Sequence, residues 1–549
     1  MSSTPGGLGP LQHAVEQQLE RLTREHWAQR LWARDGTLWT ADVVAAKEIA
    51  YWTGWLDVPQ QMLQRGEDFA VARREMGSRF DHVVLCGMGG SSLCPDVLRN
   101  TFGKQEGAPE LIVLDSTHPA TVASVEARTT PGRTLFLIAS KSGGTTETLS
   151  HYRYFHQKLR EADVEHSGRA FVAITDEGSG LQKLAAEQDF GHVFLNPADI
   201  GGRYSALSYF GMVPAALMGL DQSQLLRSAA TMSVGCRDSD ARGNPGLALG
   251  AVLGVAATSG RDKCTIVCSP KVATLGIWLE QLLAESTGKQ GKGIVPVPGE
   301  PIGDPSRYGS DRLFVYVRAA GSDPAQDAAM KALRAAGQPV YNIEVDGPQD
   351  LGAEFIRWEV ATAVAGAILG INPFDQPNVQ ESKDNTRAAL ERFQTTGDFG
   401  VELSTDPWSD LQSLLDGLRD GDYFAVLAYT DPTPEISDAL VRLRVALRDR
   451  FGVATTLGYG PRYLHSTGQL HKGGPNTGVY LILSDELGDE VPIPGEDHGF
   501  KTLVKAQWMG DLKSLRDHGR RVAQVSLGVD RRQALARLMA LVEATPPLR

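Results

Sequence analysis

Short apolar runs, each followed by a polar or glycine-rich turn, recur along the chain and constrain its fold more than any other feature. Five of them lie in the first 200 residues, at 83–86, 111–114, 135–138, 171–174 and 192–195. Most are separated by helical or turn-rich stretches, which is the pattern of repeated βα units. Runs this apolar are buried on both faces, so they predict a parallel sheet between helices, with ligands bound at the carboxyl ends of its strands.

The same pattern begins again near residue 260 and a third time near residue 405. Apolar runs at 264–268, 313–317 and 340–345 alternate with helices predicted around 271–287, 324–336 and 350–369. Farther on come an apolar run at 423–428, a charged helix over 435–450 and a run at 453–457. Residues 1–75 lack strand-like runs, and the spacing of Leu11, Val15, Leu19 and Leu22 fits a helix. We therefore predict a helical segment at 1–75, αβα domains at 76–235 and 236–400, and a smaller α/β domain at 401–549.

Composition limits the kind of protein and the kind of partner. With 549 residues, 42% of them hydrophobic, the chain is expected to be globular, and it has neither an apolar run of ~18 residues nor a signal-peptide pattern. We expect a cytosolic protein. A net charge of −12 argues against nucleic acid and membrane as partners, so an anionic ligand must be held by local backbone N–H groups and helix N-termini. Five cysteines without paired spacing predict neither a disulfide framework nor a metal site.

Residues 140–148 read Ser-Lys-Ser-Gly-Gly-Thr-Thr-Glu-Thr, directly after an apolar run and at the start of a predicted helix. The hydroxyls in this segment and the N–H groups at the positive end of a helix suit a phosphate monoester. A capped turn that binds nothing is the alternative, and four hydroxyls at Ser140, Ser142, Thr145 and Thr148 make it less attractive. The turn at 87–92 is a weaker signal, because Leu93 stands where a dinucleotide-binding loop has its last glycine.

Glu285 lies in a predicted amphipathic helix that ends at Ser-Thr-Gly-Lys, with Gly288 as the glycine that follows the helix. The helix dipole opposes a carboxylate in the last turn, so such a group takes up a proton readily, as a base beside a carbonyl must. Arg203 follows two glycines, which allows it to reach across a cleft and stabilise an enediolate oxygen or hold an anion. Lys383 stands seven residues after Gln376 and follows the turn formed by residues 373–378. A solvated helix-end glutamate and an ordinary helical lysine are the alternatives.

These segments occur in one order along the chain: 87–92, 140–148, 201–205, 285–289 and 374–383. The ordered set resembles the phosphoglucose isomerase family over about residues 80–390. That family interconverts glucose 6-phosphate and fructose 6-phosphate through a cis-enediolate. The resemblance implies an α/β fold of two sugar-isomerase (SIS-type) αβα parallel-sheet domains plus a smaller C-terminal α/β domain, no metal or other cofactor, and a homo-oligomer, most simply a dimer.

Carried over position by position, the resemblance also implies site residues. Glu285 is then the base that moves a proton between C2 and C1, Arg203 stabilises the enediolate, and Lys383 assists ring opening. The residues implied to hold the 6-phosphate are Ser140, Lys141, Ser142, Thr145 and Thr148. Those implied to line the sugar are Gly90, Ser91, Gln281 and Gln376.

One departure from the family concerns a histidine. In the family a histidine soon follows the glutamate, whereas residues 308–314 of this chain contain none. Residues 464–469, Leu-His-Ser-Thr-Gly-Gln, resemble the segment with that histidine in shorter bacterial members, which makes His465 the candidate for ring opening. The C-terminal region also resembles the isomerase half of bacterial transaldolase/phosphoglucose isomerase fusions. The alternative is a solvated histidine in a glycine-rich surface turn.

Two other functions remain open at this stage. One is a sugar-phosphate isomerase of broader scope that also accepts mannose 6-phosphate. The other is a sugar-phosphate-binding regulator on the same double-sheet fold. Glu285, Arg203 and Lys383 together argue against the regulator, because a sensor needs no base.

Overall fold

The chain forms three parallel β-sheets, each flanked by helices, in a computed structural model that describes residues 7–321 and 323–548. The predicted α/β class is thereby confirmed. A helical segment precedes the first sheet, as the sequence indicates, and its α-helices are α1 (Gln12–Arg24), α2 (Trp27–Trp32), α3 (Val43–Tyr51), α4 (Val58–Gln64) and α5 (Gly66–Val71).

The first sheet has five parallel strands in the order β2-β1-β3-β4-β5. Its elements are β1 (His82–Gly87), α6 (Leu93–Phe102), β2 (Glu110–Leu114), α7 (Pro119–Arg128), β3 (Thr134–Ala139), α8 (Thr146–Glu161), β4 (Phe171–Asp176), α9 (Gly180–Glu187) and β5 (His192–Asn196). The strand order reverses between β1 and β3, and such a switch point opens a crevice at the carboxyl ends. Gly87 of β1 pairs with Ala139 of β3, so the two predicted loops leave the sheet side by side.

The second sheet has four parallel strands in the order β7-β6-β8-β9. The elements from the end of the first sheet onward are α10 (Tyr209–Leu217), α11 (Gln222–Gly235), α12 (Pro245–Thr258), β6 (Lys263–Cys268), α13 (Leu275–Thr287), β7 (Val295–Pro298), β8 (Arg312–Ala319), α14 (Pro324–Ala335), β9 (Val340–Val345), α15 (Leu351–Leu369) and α16 (Pro377–Thr396). Strand β7 is not predicted from the sequence, because it contains Pro296 and Pro298; it lies at the sheet edge. Proline lacks the N–H that a central strand must donate, so the edge is where it is tolerated.

The C-terminal sheet is also parallel, in the order β11-β10-β12-β13. Its elements are α17 (Pro407–Asp416), β10 (Tyr423–Tyr429), α18 (Pro434–Phe451), β11 (Ala454–Tyr459), α19 (Gly468–Gly473), β12 (Gly478–Ser484), α20 (Phe500–Asp517), β13 (Arg521–Ser526) and α21 (Arg531–Ala544). The predicted boundaries near residues 75, 235 and 400 fall between the sheets and stay a prediction.

The C-terminal domain packs tightly against the second sheet. Ala284 of α13 and Val295 of β7 share an apolar core with residues of β10, β11 and β12. An ion pair between Arg312 and Glu300, fully buried on both sides, continues this contact, because Glu300 Oε1 also accepts the hydroxyl hydrogen of Thr455 at 2.9 Å. This docking brings residues 462–469 to the carboxyl ends of the strands of the first sheet.

Two further expectations from the sequence concern the pairing of the cysteines and the length and polarity of the helices. All five cysteines are unpaired, four of them buried and Cys268 partly so, as the sequence predicts. Burial raises the pKa of each thiol, so none is a ready nucleophile. Within residues 7–321 and 323–548, every helix is too short or too polar to cross a membrane.

Candidate active site

A cleft of about 320 Å³ lies at the carboxyl end of the first sheet, between the three domains. Ten of the residues singled out from the sequence line it: Gly90, Ser91, Lys141, Ser142, Thr145, Gln281, Glu285, Gln376, Lys383 and His465. They come from positions almost 400 residues apart. The structure therefore brings most of the predicted site together at one place.

The phosphate-loop candidate is a tight turn that opens helix α8. Thr145 is the residue before the helix, and Gly143 adopts a φ of +70°. A Cβ at Gly143 would stand 2.4 Å from the backbone nitrogen of Leu181, so only glycine fits. The turn presents the hydroxyls of Ser142 and Thr145 to the cleft, next to the unpaired N–H groups with which every α-helix begins.

Two of the predicted phosphate ligands lie behind the cleft wall. The Ser140 hydroxyl is buried, bonds to the Thr145 hydroxyl at 2.9 Å and accepts the N–H of Gly143 at 3.1 Å, so it braces the turn. Thr148 is fully buried in the first turn of α8. The number of hydroxyls that this loop offers to a ligand falls from four to two.

Lys141 is at the cleft, but it already has a protein partner. Its ammonium forms an ion pair with Asp176 at the end of β4 and donates to the carbonyl of Ala198 at 3.1 Å. It also lies 5.3 Å from the ring centre of Trp52. The positive charge is therefore fixed beside the phosphate loop rather than extended into the cleft.

Glu285 stands in the last turn of α13, as predicted. Its Oε1 accepts a hydrogen bond from Arg203 Nη1 at 3.1 Å, and its Oε2 accepts one from Gln281 Nε2 at 2.8 Å. The residue is 8% exposed, and that exposed surface faces the cleft. The carboxylate is thus held from both sides, which is how a base is kept in one orientation.

Arg203 lies behind the cleft wall, whereas the sequence predicts a side chain that reaches across the cleft. Its side chain is 1% exposed and does not reach the cleft surface. Nη1 donates to Glu285 and, at 2.9 Å, to Gln376 Oε1, while Nε and Nη2 donate to Ser286 Oγ and to two backbone carbonyls of the loop 373–375. All five guanidinium hydrogens are used. Arg203 therefore supplies charge from behind Glu285 and Gln376, instead of reaching across an empty cleft.

Gly288 follows α13 as predicted, but its φ of −74° is one that any residue can adopt. Its role is close packing, because a Cβ at this position would lie 2.3 Å from Cα of Leu470 in α19. The glycine at the end of the Glu285 helix thus lets the C-terminal domain approach the cleft.

The backbone of His465 is fitted between two parts of the cleft wall. Its carbonyl accepts a hydrogen bond from Gln281 Nε2 at 2.9 Å, the same amide that holds Glu285. Gly89, with a φ of +54°, faces the same carbonyl, and a Cβ there would approach it to 2.6 Å. One glutamine therefore links the candidate base to the candidate ring-opening residue.

His465 is paired with a carboxylate that the sequence analysis did not single out. Its Nε2 lies 2.9 Å from Oε1 of Glu147, which also accepts a hydrogen bond from Gln507 at 2.8 Å. Burial alone raises the pKa of Glu147, but the imidazolium of His465 outweighs it and holds the pKa at about 2. The signal was present, since Glu147 stands within the phosphate-loop segment, but nothing local showed that its partner lies 318 residues away.

Lys383 lies on the exposed side of α16, at the edge of the cleft. It also borders a second lobe of about 300 Å³, which lies on the far side of His465. The helix starts at Pro377, directly after Gln376, so both residues are placed by the same helix start. Residues 308–314, where the resemblance would place a histidine, lead into the amino end of strand β8, away from the cleft.

Glu280 gives a prediction about stability. It faces a cavity of about 330 Å³ beside Arg462 and accepts a hydrogen bond from Ser466 Oγ at 3.2 Å. Burial raises its pKa from 4.5 to about 6. Below pH 4.5 the carboxyl is neutral in both the folded and the unfolded chain, whereas above pH 6 its ionisation costs the folded state up to about 2 kcal/mol.

We therefore expect Glu280→Gln to raise the free energy of unfolding at pH 8 and to leave it nearly unchanged at pH 4.5. Urea unfolding at the two pH values measures the difference. An equal effect at both pH values would mean that ionisation of Glu280 does not govern the change.

Comparison with known proteins agrees with this geometry. Residues 56–294 match the family model described as phosphoglucose isomerase. A glucose-6-phosphate isomerase of Rubrobacter xylanophilus is 30% identical over 392 residues, which are 62% of this chain and 89% of that protein. One from Symbiobacterium thermophilum is 27% identical over 70% of this chain and 94% of its own length.

Solved structures give the same answer for the fold. A hypothetical protein from Thermus thermophilus superposes with a TM-score of 0.60 at 25% identity, covering 70% of this chain and 98% of that one. A glucose-6-phosphate isomerase from Chlamydia trachomatis superposes with a TM-score of 0.53 at 20% identity, over 67% of this chain and 78% of its own. With a cleft that joins the phosphate loop, Glu285 and the Gly-Gly-Arg segment, and with a relative 30% identical over most of its length, the chain belongs to the phosphoglucose isomerase family.

Proposed function

We propose that this protein is an aldose–ketose isomerase that interconverts glucose 6-phosphate and fructose 6-phosphate. The observation that supports it most is the placement of Glu285 and His465 on one cleft, joined through Gln281. The reaction needs one group that opens the sugar ring and one base that moves a proton between adjacent carbons. The cleft offers one of each.

The substrate phosphate binds at the start of α8. Ser142 and Thr145 donate from their hydroxyls, and the first N–H groups of the helix add the field of the helix dipole. Lys141, paired with Asp176, contributes positive charge at the rim. This arrangement holds a dianion by local donors, as a protein with a net charge of −12 must do.

Ring opening is the role of His465 with Lys383. The imidazole gives a proton to the ring oxygen as the bond between that oxygen and the anomeric carbon breaks. The anomeric hydroxyl loses its own proton to water in the open cleft and becomes the carbonyl, and the ammonium of Lys383 at the cleft edge stabilises the oxygen as its proton leaves. The carboxylate of Glu147, 2.9 Å from Nε2 of His465, holds the imidazole in one orientation for this transfer.

Proton transfer is the role of Glu285. It removes the proton from C2 of the open-chain aldose and returns it to C1. In the cis-enediolate between these two steps, the hydroxyl proton passes from the C2 oxygen to the C1 oxygen. As Glu285 becomes neutral, the negative charge moves to the enediolate oxygen a few ångströms away. Arg203 is hydrogen-bonded to both Glu285 and Gln376 and is fixed in place. It therefore stabilises the negative charge first on the Glu285 carboxylate and then on the enediolate oxygen.

The phosphate requirement tests this function directly. We expect fructose 6-phosphate to yield glucose 6-phosphate, measured through reduction of NADP by a coupling dehydrogenase, and we expect kcat/KM for free fructose to be at least ~10³-fold lower. Charge-assisted hydrogen bonds of about 1.5–3 kcal/mol each account for this difference. Comparable turnover of the two sugars would exclude the α8 loop as the specificity element.

Two alternatives have separate outcomes when the products are separated by chromatography and binding is measured by calorimetry. Formation of mannose 6-phosphate at a similar rate would indicate an isomerase of broader scope. Tight binding of fructose 6-phosphate without turnover would indicate a regulator. We further infer that the enzyme works in the cytoplasm as a homodimer, and light scattering of the purified protein tests the dimer.

A further inference from the structure

The turn that contains His465 is anchored to the first domain at both ends. Residues Arg462–His465 form a single 3-10 turn between β11 and α19. The last residue, His465, contacts Glu147 of α8, and the first, Arg462, contacts two other carboxylates of the same domain. A turn this short moves as a unit, so an anchor at one end fixes the other.

The Arg462 anchor is an ion-pair bridge between domains. Nη2 of Arg462 lies 2.6 Å from Oδ2 of Asp96 in α6, and Nε lies 3.2 Å from Oδ2 of Asp115 at the end of β2. The Asp96 side chain is 3% exposed and is also held by Arg99 at 2.7 Å. A planar guanidinium that bridges two fixed carboxylates has little freedom left, which distinguishes it from an exposed ion pair.

The bridge also connects to the wall of the active-site cleft. Ser92 donates its hydroxyl hydrogen toward Asp115 at 3.3 Å, and the same hydroxyl lies 3.2 Å from the carbonyl of Gly89. Gly89 in turn faces the carbonyl of His465. The path from Arg462 through Asp115 and Ser92 thus returns to the backbone of the histidine and closes a ring of contacts around it.

The contacts of His465 itself hold one end of the turn. Glu147 orients the imidazole and Gln281 bonds the carbonyl of His465, whereas the other end of the turn is held to the first sheet by Arg462. A displacement of about 1 Å is enough to lower the rate of a proton transfer by up to ~10²-fold.

We propose that Arg462 is a positioning residue for ring opening: its bridge to Asp96 and Asp115 sets the place of His465 in the cleft. The inference rests on the proposed function, because it assigns ring opening to His465. A purely structural clamp between domains predicts something else, namely an equal loss of every activity as the protein loses stability. The two are separated by a substrate that needs no ring opening.

Such a substrate is 5-deoxyfructose 6-phosphate, which lacks the hydroxyl that closes the furanose ring. Exchange of its C1 proton with deuterium, followed by NMR, needs Glu285 but not His465. For Arg462→Met we expect kcat/KM on fructose 6-phosphate to fall by ~10–10²-fold, while this exchange stays within about 3-fold of wild type. Arg462→Lys keeps the charge but loses the fork geometry of the guanidinium. Its kcat/KM on fructose 6-phosphate should lie between those of wild type and Arg462→Met.

A second variant separates a loss of ring opening from a loss of stability. Arg462→Met leaves Asp115 without its ion partner, so we pair it with Asp115→Asn, which removes the unpaired charge. We expect this double variant to regain stability against urea and to keep the selective loss of ring opening. The matched control is Arg153→Met, which breaks an exposed ion pair with Glu496 between the same two domains and should change neither activity.

Each result has one interpretation. A stable double variant with wild-type turnover of fructose 6-phosphate, or an equal loss on both substrates, overturns the positioning role. If His465→Asn itself shows no preference for the open-chain substrate, the ring-opening assignment fails instead, and the proposed function is the part in error.

Discussion

Glu285→Gln should lower kcat for fructose 6-phosphate by at least ~10²–10⁴-fold, which is about 3–5 kcal/mol of transition-state stabilisation. The amide cannot accept the C2 proton, and no other step of the reaction substitutes for that transfer. KM should change little, because the phosphate contacts at α8 are untouched. Coupled turnover and C1-proton exchange should fall together, since both pass through the same base.

The Glu285 variant should fold normally. Arg203 Nη1 can donate to the new amide oxygen as it does to the carboxylate. Gln281 can turn its amide toward the new donor, because among residues 7–321 and 323–548 its Oε1 has no hydrogen-bond partner, and the cost is the bond from its Nε2 to the carbonyl of His465. Near-wild-type turnover would therefore exclude Glu285 as the base, rather than reflect a rearranged site.

A second buried glutamate provides the matched control. Glu359 in α15 is 1% exposed, and burial raises its pKa well above the usual range, which favours its neutral form. Glu359→Gln replaces the carboxyl by an amide of the same shape. We expect full activity from it, which separates loss of the base from the general cost of an amide in the interior.

His465→Asn should give a large and selective loss. We expect turnover of cyclic fructose 6-phosphate to fall by ~10²–10⁴-fold, as for a lost general acid–base group, while proton exchange in 5-deoxyfructose 6-phosphate is nearly retained. The asparagine amide lies where the imidazole has Nδ1, so it loses the contact with Glu147, but the turn is still held by Arg462 and by the bond from Gln281 to its backbone. Equal losses with both substrates would make His465 structural and leave ring opening to another group.

Glu147→Gln tests the partner of the histidine. It keeps a hydrogen bond to the imidazole but removes the negative charge beside it. We expect a smaller loss of ring opening than in His465→Asn, with the same preference for the open-chain substrate. A loss on both substrates would place Glu147 in the general support of the cleft.

Removal of residues 405–549 is a poor substitute for these point changes. Val295 of β7 and Ala284, the residue before Glu285, pack in the same apolar core as the C-terminal strands. The buried pair of Arg312 and Glu300 would lose its contacts with Val453 and Thr455. Truncation would expose this surface and disturb the helix of the base itself, so a loss of activity would not identify a role for His465.

Much of the fold and part of the site follow from local sequence. The strand of residues 83–86 is visible because a buried parallel strand is apolar throughout, and Gly143 marks a turn because only glycine fits there. The place of Glu285 in the last helical turn also follows from neighbouring residues. The sequence alone predicts a phosphate site at residues 140–148, whereas the pairing of β1 with β3, which brings the two loops together, is known only from the fold.

The tertiary structure decided which distant groups work together. The pairing of His465 with Glu147 spans 318 residues and depends on how the C-terminal domain docks, which no local periodicity encodes. Docking likewise determines that Arg462 reaches Asp96 and Asp115. Arg203 could be recognised as important from its two preceding glycines, but only the folded chain shows that every one of its donors is already used. Local sequence determines what each segment can form, whereas long-range packing determines which side chains share a cleft.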